Sequence, residues 1–423
     1  LHPRVQAALD RVTEAEVTSL VLQLANIPGP SGHEGQIGDA VYQWLNGEGI
    51  DAERQEVVPG RCNVVGRLRS SIRGAQRGKS IIFNAHLDVA EGTPGDLWGP
   101  SFEPSFERDG FLYGKAVLND RAGVTAILLA QAAIKRSELR LRGDVLTGAV
   151  VGEIGMAPVD EFAASAYIGK GVGSRHLVAH GGIADFALVA ETTEWGITWI
   201  ECGAAYFRIA IPGQAIYTPR VPSQPVSAHH PNAILRAQLV VSALEAWGRE
   251  YERRNTRQYA VGPVVPKTAI GAMRAGWAPK PNRTAGGAWL YLDVRLPPGE
   301  TPLAAQREIE DAIAATGVEA TVDCYLYHRG YVGQGVEPIV DATRAAYRTL
   351  TREDPPAVPT HVTSMWRDIN VFAEVGVPAI TFGPPRRPGT IPGEQAKTMT
   401  VSDLTRCVRM YILIAAQLCG VVD

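Results

Sequence analysis

Two hydrophobic rhythms run along the chain. In the first 200 residues, short apolar runs stop abruptly at polar or small residues. Residues 80–83 (SIIF) stop at Asn84, 144–151 (DVLTGAVV) run up to Gly152, and 186–190 (FALVA) stop at Glu191. Runs of this length predict strands buried on both faces. Between the first two, residues 123–134 are rich in Ala and Leu at helical spacing. Strands separated by helices predict an α/β fold, a mostly parallel sheet with helices on both faces.

From about Gly203 the rhythm changes. Residues 206–211 alternate like a half-buried strand, 231–253 form a long amphipathic helix, and 289–296 read as a strand ending at PPGE. A second helix follows at 302–315 and a last strand at 320–327. The β-α-β-β-α-β order predicts a separate α+β domain of ferredoxin-like type, a small antiparallel sheet with two helices. After His328 the first rhythm returns, through 377–382 (VPAITF) and a closing helix at 402–418. The chain therefore divides into a large domain in two parts, 1–202 and 328–423, with a lid-like domain, 203–327, inserted between them.

A length of 423 residues fits two domains. Hydrophobic content of 45% and charged content of 20% are ordinary for a globular protein. The formal net charge of −3 offers no electrostatic footprint for nucleic acid. No apolar run approaches the roughly 18 residues that span a bilayer, and the first residues lack the apolar core of a signal peptide. The expectation is a cytoplasmic protein without membrane contact. Cys62, Cys202, Cys324, Cys407 and Cys419 are scattered and odd in number, as expected of reduced thiols. Residues 70–80 (SSIRGAQRGKS) read as a basic, solvated surface turn.

Four segments at predicted strand ends carry candidate chemistry, and that edge of an open α/β sheet is where ligands bind. His86 and Asp88 lie two apart after a buried strand, so they point to one side; the His suits a metal and the Asp suits holding its ring. Asn119 and Asp120 precede an Ala-rich helix, either as N-caps or as oxygen ligands at the sheet edge. Glu153, with glycines at 152 and 155, ends an apolar strand and suits a general base. Glu191 ends another.

Taken together, these segments resemble the metallohydrolase family of glutamate carboxypeptidase, aminoacylase, succinyl-diaminopimelate desuccinylase and the dinuclear-zinc dipeptidases, which has a zinc-exopeptidase-like fold. The run from His86 to Gly123, HLDVAEGTPGDLWGPSFEPSFERDGFLYGKAVLNDRAG, carries most of the resemblance, together with VVGE at 150–153, Ala190-Glu191, and Asn282 with Asp293-Val294-Arg295. The family binds two metals bridged by an aspartate. The resemblance gives one metal His86 and Glu191. The donors of the other are absent: the second Glu of a Glu-Glu pair is Ile154, and no His follows His361. The bridging position falls at Asn119, beside Asp120. The resemblance thus implies one divalent transition metal per chain, manganese, zinc, iron or cobalt, held by His86, Glu191 and an oxygen of Asp120 or Asn119. Glu153 would be the base toward a water activated by that metal, with Asp88 behind His86.

In the inserted domain the resemblance gives Arg295 and Asn282 the task of holding a substrate carboxylate. Tyr217 stands where the family has a histidine that polarises the scissile bond, and His229 or His230 would substitute. With the second metal and that histidine missing, the chain resembles the nitroanthranilate aminohydrolase branch, which replaces an aromatic amine with hydroxide on an electron-poor ring. The expected reaction is 5-nitroanthranilate to 5-nitrosalicylate plus ammonia. Two alternatives stay open. One is a carboxypeptidase or N-acyl amino acid amidohydrolase with a rearranged site that recruits His361 or Glu394. The other is a pseudoenzyme that only binds a small carboxylate. The resemblance also implies a homo-oligomer formed through the inserted domain.

Overall fold

The apolar runs that end at Asn84, Gly152 and Glu191 become neighbouring strands of one sheet. The computed structural model describes residues 1–90, 104–391 and 398–422, and the chain separates into two compact units. The larger comprises Leu1–Trp199, Gly333–Pro359 and Arg367–Asp423; the smaller comprises Ile200–Val332 and Thr360–Trp366.

The larger unit holds a six-stranded sheet in the order Asp51–Val58, Arg61–Leu68, Val145–Val150, Ile81–His86, Phe186–Val189, Ala379–Thr381. The last four strands run parallel. Ile81–His86 and Val145–Val150 are buried at every position, which accounts for their uninterrupted apolar runs. Ile81 and Phe83 join one hydrophobic core and Ile82 another, so both faces of the sheet are covered. The first two strands form an antiparallel hairpin, and Arg61–Leu68 pairs antiparallel with Val145–Val150. The sheet is therefore mostly parallel, as expected, and mixed only through the antiparallel pairings of Arg61–Leu68 at one side. The sequence hides the hairpin because its outer strand, DAERQEVV, is an edge whose charges face water.

Helix Ala122–Arg136 packs on Ile81–His86 and against helices Glu14–Ala25 and Val401–Cys419. Every residue from Ala122 to Ile134 is buried. With the turn before it, the stretch Val117–Arg136 is long and apolar enough to cross a membrane by length and composition, which corrects the expectation that no run approaches that size. It is 94% buried within the protein, as befits a core helix. All five cysteines are free.

The smaller unit has a four-stranded antiparallel sheet in the order Thr268–Ala275, Gly287–Leu296, Gly203–Pro212, Thr321–His328. Helices Ala233–Asn255 and Pro302–Ala314 pack on it around Phe207, Ile209, Leu244, Leu290 and Ile309. The inserted segment is longer than 203–327, and the chain visits this unit twice. Thr363 donates its hydroxyl to the Pro263 carbonyl at 2.8 Å, Cys202 N donates to the Thr363 carbonyl at 3.2 Å, and the His328 and Trp366 rings lie 5.2 Å apart. Seven residues are too few to announce a return in a hydrophobic pattern.

One buried ion pair shapes the turn that matters most. Glu34 is fully buried and meets Arg61 through two contacts of 2.7 Å. The same Glu34 carboxylate accepts the Gly152 main-chain N–H at 3.1 Å. Gly152 has φ +64°, and a Cβ there would come within 2.7 Å of the Arg61 guanidinium and the Val172 side chain. The pair thus fixes the turn that presents Glu153. Glu34→Ala, which strands Arg61 in the interior, should cost about 3–5 kcal/mol. Arg54→Ala, which breaks the exposed pair with Asp39, should cost less than about 1 kcal/mol. Denaturant unfolding of both variants checks this; equal costs would mean that the pair does not hold the turn.

Candidate metal centre

Strand Ile81–His86 delivers His86 to the carboxyl end of the parallel strands, 1% exposed. Its Nδ1 lies 2.9 Å from the Asp88 carbonyl oxygen, which can only accept. Nδ1 therefore carries a proton, and Nε2 is the nitrogen turned inward, with a lone pair to give whenever the ring is neutral. Facing Nε2 are further acceptors, Asn119 Oδ1 at 3.0 Å and Glu153 Oε2 at 4.0 Å. Ligand atoms of His86, Glu153 and Glu191 all lie within 4.8 Å of one another, and the three residues are buried. Lone pairs converging in a dry pocket call for a cation, and one imidazole among hard oxygens fits a divalent transition metal. The ring itself records that demand. Burial works to lower the His86 pKa, but Asp88, Asp120 and Glu153 outweigh it and hold the pKa well above its ordinary value.

Asp88 is tied by several donors into the frame around the histidine. Its carboxylate accepts the Ser31 hydroxyl at 2.7 Å and the main-chain N–H groups of Glu153 and Ile154 at 3.0 and 2.9 Å, and it lies 3.3 Å from His86 Nδ1. Burial would raise its pKa, yet these donors and the His86 charge hold it well below the usual carboxylate range. One side chain thereby ties the histidine strand to the turn bearing Glu153.

Asn119 and Asp120 divide their tasks. The Asn119 amide oxygen is the atom aimed at His86 Nε2, whereas Asp120 Oδ2 accepts the His86 main-chain N–H at 3.3 Å. Asp120 is 1% exposed; burial first, and then repulsion from Glu191, raises its pKa well above the ordinary range. Burial, followed by the neighbouring Glu191, likewise pushes Glu153 to about 8.

Two residues of the segment 363–368 complete the centre. Arg367 Nε lies 2.6 Å from Glu191 Oε2, and its guanidinium also donates to the Thr192 carbonyl at 3.1 Å. Asp368 accepts the Ser174 hydroxyl at 2.7 Å and the Asn84 amide at 3.1 Å, and burial raises it to about 6. Their one signal in the sequence is an Arg-Asp pair directly after the apolar Met365-Trp366.

The substrate-binding candidates of the smaller unit do not form one cluster of side chains. Arg295 is bound to Asp293 at 2.9 Å and lines a cavity of about 490 Å³ with Lys267, His361 and Glu252. Tyr217 is half exposed, and Asn282 is exposed, its carbonyl accepting Thr218 N at 3.0 Å. His229 is exposed. His230 is buried, and its Nδ1 accepts Asn232 N at 3.1 Å, which supports the turn that starts helix Ala233–Asn255. Glu394 and residues 91–103 of the resembling run lie outside the described residues.

A carboxyl whose pKa folding raises stabilises the fold while it is protonated. For Glu153 that contribution is full below its ordinary value of 4.5 and is lost as pH rises toward about 8. Stripped of metal, the protein should melt lower at pH 8 than at pH 6. Glu153→Gln should shrink the difference, and a bound divalent cation should remove most of it. Calorimetry at the two pH values checks this, and a metal-free melting point that rises with pH would contradict it.

Comparison with known proteins places this geometry. A family model described as peptidase family M20/M25/M40 matches residues 82–417. The chain is 30% identical over 167 residues to N-formyl-4-amino-5-aminomethyl-2-methylpyrimidine deformylase of Bacillus subtilis (strain 168), covering 37% of this chain and 35% of that protein. It is 25% identical over 344 residues to succinyl-diaminopimelate desuccinylase of Bordetella petrii, covering 79% of this chain and 83% of that one. The match therefore spans about a third of the deformylase but most of the desuccinylase. Among solved structures, a tripeptidase of Staphylococcus aureus subsp. aureus mu50 superposes with a TM-score of 0.69 at 17% identity, covering 96% of this chain and 99% of that one. The M20 family metallo-carboxypeptidase Sso-CP2 of Sulfolobus solfataricus gives the same TM-score at 12% identity, covering 95% and 99%. The α/β fold with its mixed sheet is the one those structures share, and the chain belongs to peptidase family M20/M25/M40, a family of metal-dependent hydrolases.

Proposed function

We propose that this C–N hydrolase works with a single divalent transition metal, held by His86, Asn119 and Glu191, with Glu153 as the proton carrier. The observation that carries the reading is the convergence of His86, Glu153 and Glu191 within 4.8 Å, next to a residue 154 that is no donor. Ile154 has an apolar side chain, and its main-chain N–H is given to Asp88. No histidine follows His361 in the sequence, so the donors that a second ion of the resembling family requires are missing.

When bound, the metal supplies Lewis acidity, lowering the pKa of water and drawing electron density from the substrate. The remaining work falls to the chain. Glu153, raised to about 8 by burial and by Glu191, exchanges a proton readily near neutral pH. It takes the proton from the attacking water and returns it to the departing nitrogen. Asp88 fixes the main chain on either side of the Glu153–Ile154 peptide, so the carboxyl does not swing away. Asp120 and Asp368, buried and hydrogen-bonded, hold the His86 strand and its neighbour Asn84 in place.

A one-metal centre has less electrostatic stabilisation to offer than a two-metal one, which favours a substrate that accepts charge itself. The reading is hydrolytic deamination of an electron-poor aromatic amine, 5-nitroanthranilate. The water oxygen adds to the ring carbon bearing the amine, and the electron pair moves into the nitro group. The amine then leaves as ammonia with the proton from Glu153, giving 5-nitrosalicylate. Among the residues singled out in the sequence, Arg295 is the candidate for the substrate carboxylate. A second reading, hydrolysis of an N-acyl amine, is favoured by the likeness to the deformylase and the desuccinylase.

With manganese supplied, the protein should release ammonia from 5-nitroanthranilate in step with formation of 5-nitrosalicylate. Glu153→Gln should lower kcat by about 10²–10⁴-fold. Turnover of N-formyl or N-succinyl amines, with no ammonia from the nitroaromatic, would overturn the deaminase reading in favour of the second.

A further inference from the structure

The buried cations around the centre have different occupations. Arg61 belongs to Glu34. Arg121 donates to the carbonyls of Leu87 and Ile27. Lys170 bears on Glu153 through its charge. Arg367, 3% exposed, stands in direct contact with a candidate metal ligand, 2.6 Å from Glu191 Oε2. It sits in the same neighbourhood as Asp120, whose charge it also offsets.

A guanidinium at that place has two consequences. It occupies one oxygen of Glu191, so the carboxylate has only the other to give fully to an ion. It also carries a positive charge that no ordinary pH removes, close to where a second positive charge must sit. Both weaken the hold on a metal. The competing idea is that Arg367 merely orients Glu191, in which case losing it would loosen the metal. Arg367 also donates to the Thr192 carbonyl, but the segment 191–193 has holds that do not involve Arg367. Thr193 and Gly383 exchange two hydrogen bonds, Thr193 Oγ1 to the Gly383 carbonyl at 3.2 Å and Gly383 N to Thr193 Oγ1 at 3.0 Å. Gly383 also lies so close that a Cβ there would come within 2.1 Å of the Glu191 carbonyl oxygen. Phe186–Val189 leads into this segment as a fully buried strand.

We propose that Arg367 is a positioning residue that sets the metal affinity of the centre: by taking one oxygen of Glu191 and keeping a permanent charge beside the ion, it makes the ion weakly held and readily exchanged. The inference rests on the one-metal reading above. A loosely held ion suits a site that completes its coordination with substrate, because binding is then strongest when substrate is present.

The test is a manganese titration of the full chain, followed by the electron paramagnetic resonance signal of free manganese, for the parent, Arg367→Gln and Arg367→Lys. Arg367→Gln should bind manganese about 10–100-fold more tightly than the parent, the range over which groups behind metal ligands act. Arg367→Lys, which keeps the charge, should stay within about threefold of the parent on the same scale. Thermal melts with and without manganese report whether each variant is folded, and Arg367→Met, which keeps the aliphatic stem, gives the same reading if the Gln variant is not. Unchanged or weaker binding in a folded Gln or Met variant overturns the role of Arg367. Two manganese ions per parent chain overturn the one-metal reading instead, whatever the variants do.

Discussion

Five carboxylates, those of Asp88, Asp120, Glu153, Glu191 and Asp368, are buried together at one edge of a parallel sheet, and the rest of the larger unit is arranged around that fact. Each ionised carboxylate withdrawn from water costs several kcal/mol unless a partner offsets it. The partners differ, and the differences assign the roles. Asp88 has a full set of donors and is held ionised. Asp120, Glu153 and Asp368 are underpaired and are driven toward their neutral forms. Glu191 has Arg367. His86 Nε2 faces into this concentration of carboxylates, and a divalent ion is the partner that such a set of groups would hold.

The scaffold makes the crowding tolerable. Parallel strands buried on both faces end together, so their terminal residues meet without a loop having to fold back. The Glu34–Arg61 pair, a closed bidentate contact in the interior, sets the turn after one strand. Asp88 stitches that turn to the next strand. The proposed metal ligands thus stand on rigid elements, as a centre needs if an ion is to find its geometry ready.

The parts legible in the sequence are those where local pattern and buried charge coincide. His86, Glu153 and Glu191 each lie at or just beyond the end of an apolar run, and a charge in such a place has no solvent to satisfy it. The α+β order of the smaller unit was equally plain, since Gly203–Pro212 and Gly287–Leu296 alternate along one buried face. Features that depend on distant partners stayed hidden. Arg367 and Asp368 reach the centre only because the chain comes back after more than 160 residues, to Glu191 and to Ser174 and Asn84. The edge strand Asp51–Val58 exposes its charges and looks like a loop. The helical spacing of 123–134 matches the core helix Ala122–Arg136, whose polar Thr125 and Gln131 are buried, with Gln131 satisfied by the carbonyls of Gly66 and Val145. Between Asn119 and Asp120 the sequence offers no choice; in the structure Asn119 Oδ1 faces His86 Nε2, and Asp120 accepts the His86 main-chain N–H.

The account turns on one ion seated in front of His86. Anomalous diffraction from crystals soaked in manganese, recorded at the manganese absorption edge, tests it most directly. A single peak per chain, bonded to His86 Nε2 and to oxygens of Asn119 and Glu191, is the predicted result. Two peaks about 3.5–4 Å apart, the spacing of a two-metal hydrolase, or one peak away from His86, would contradict it.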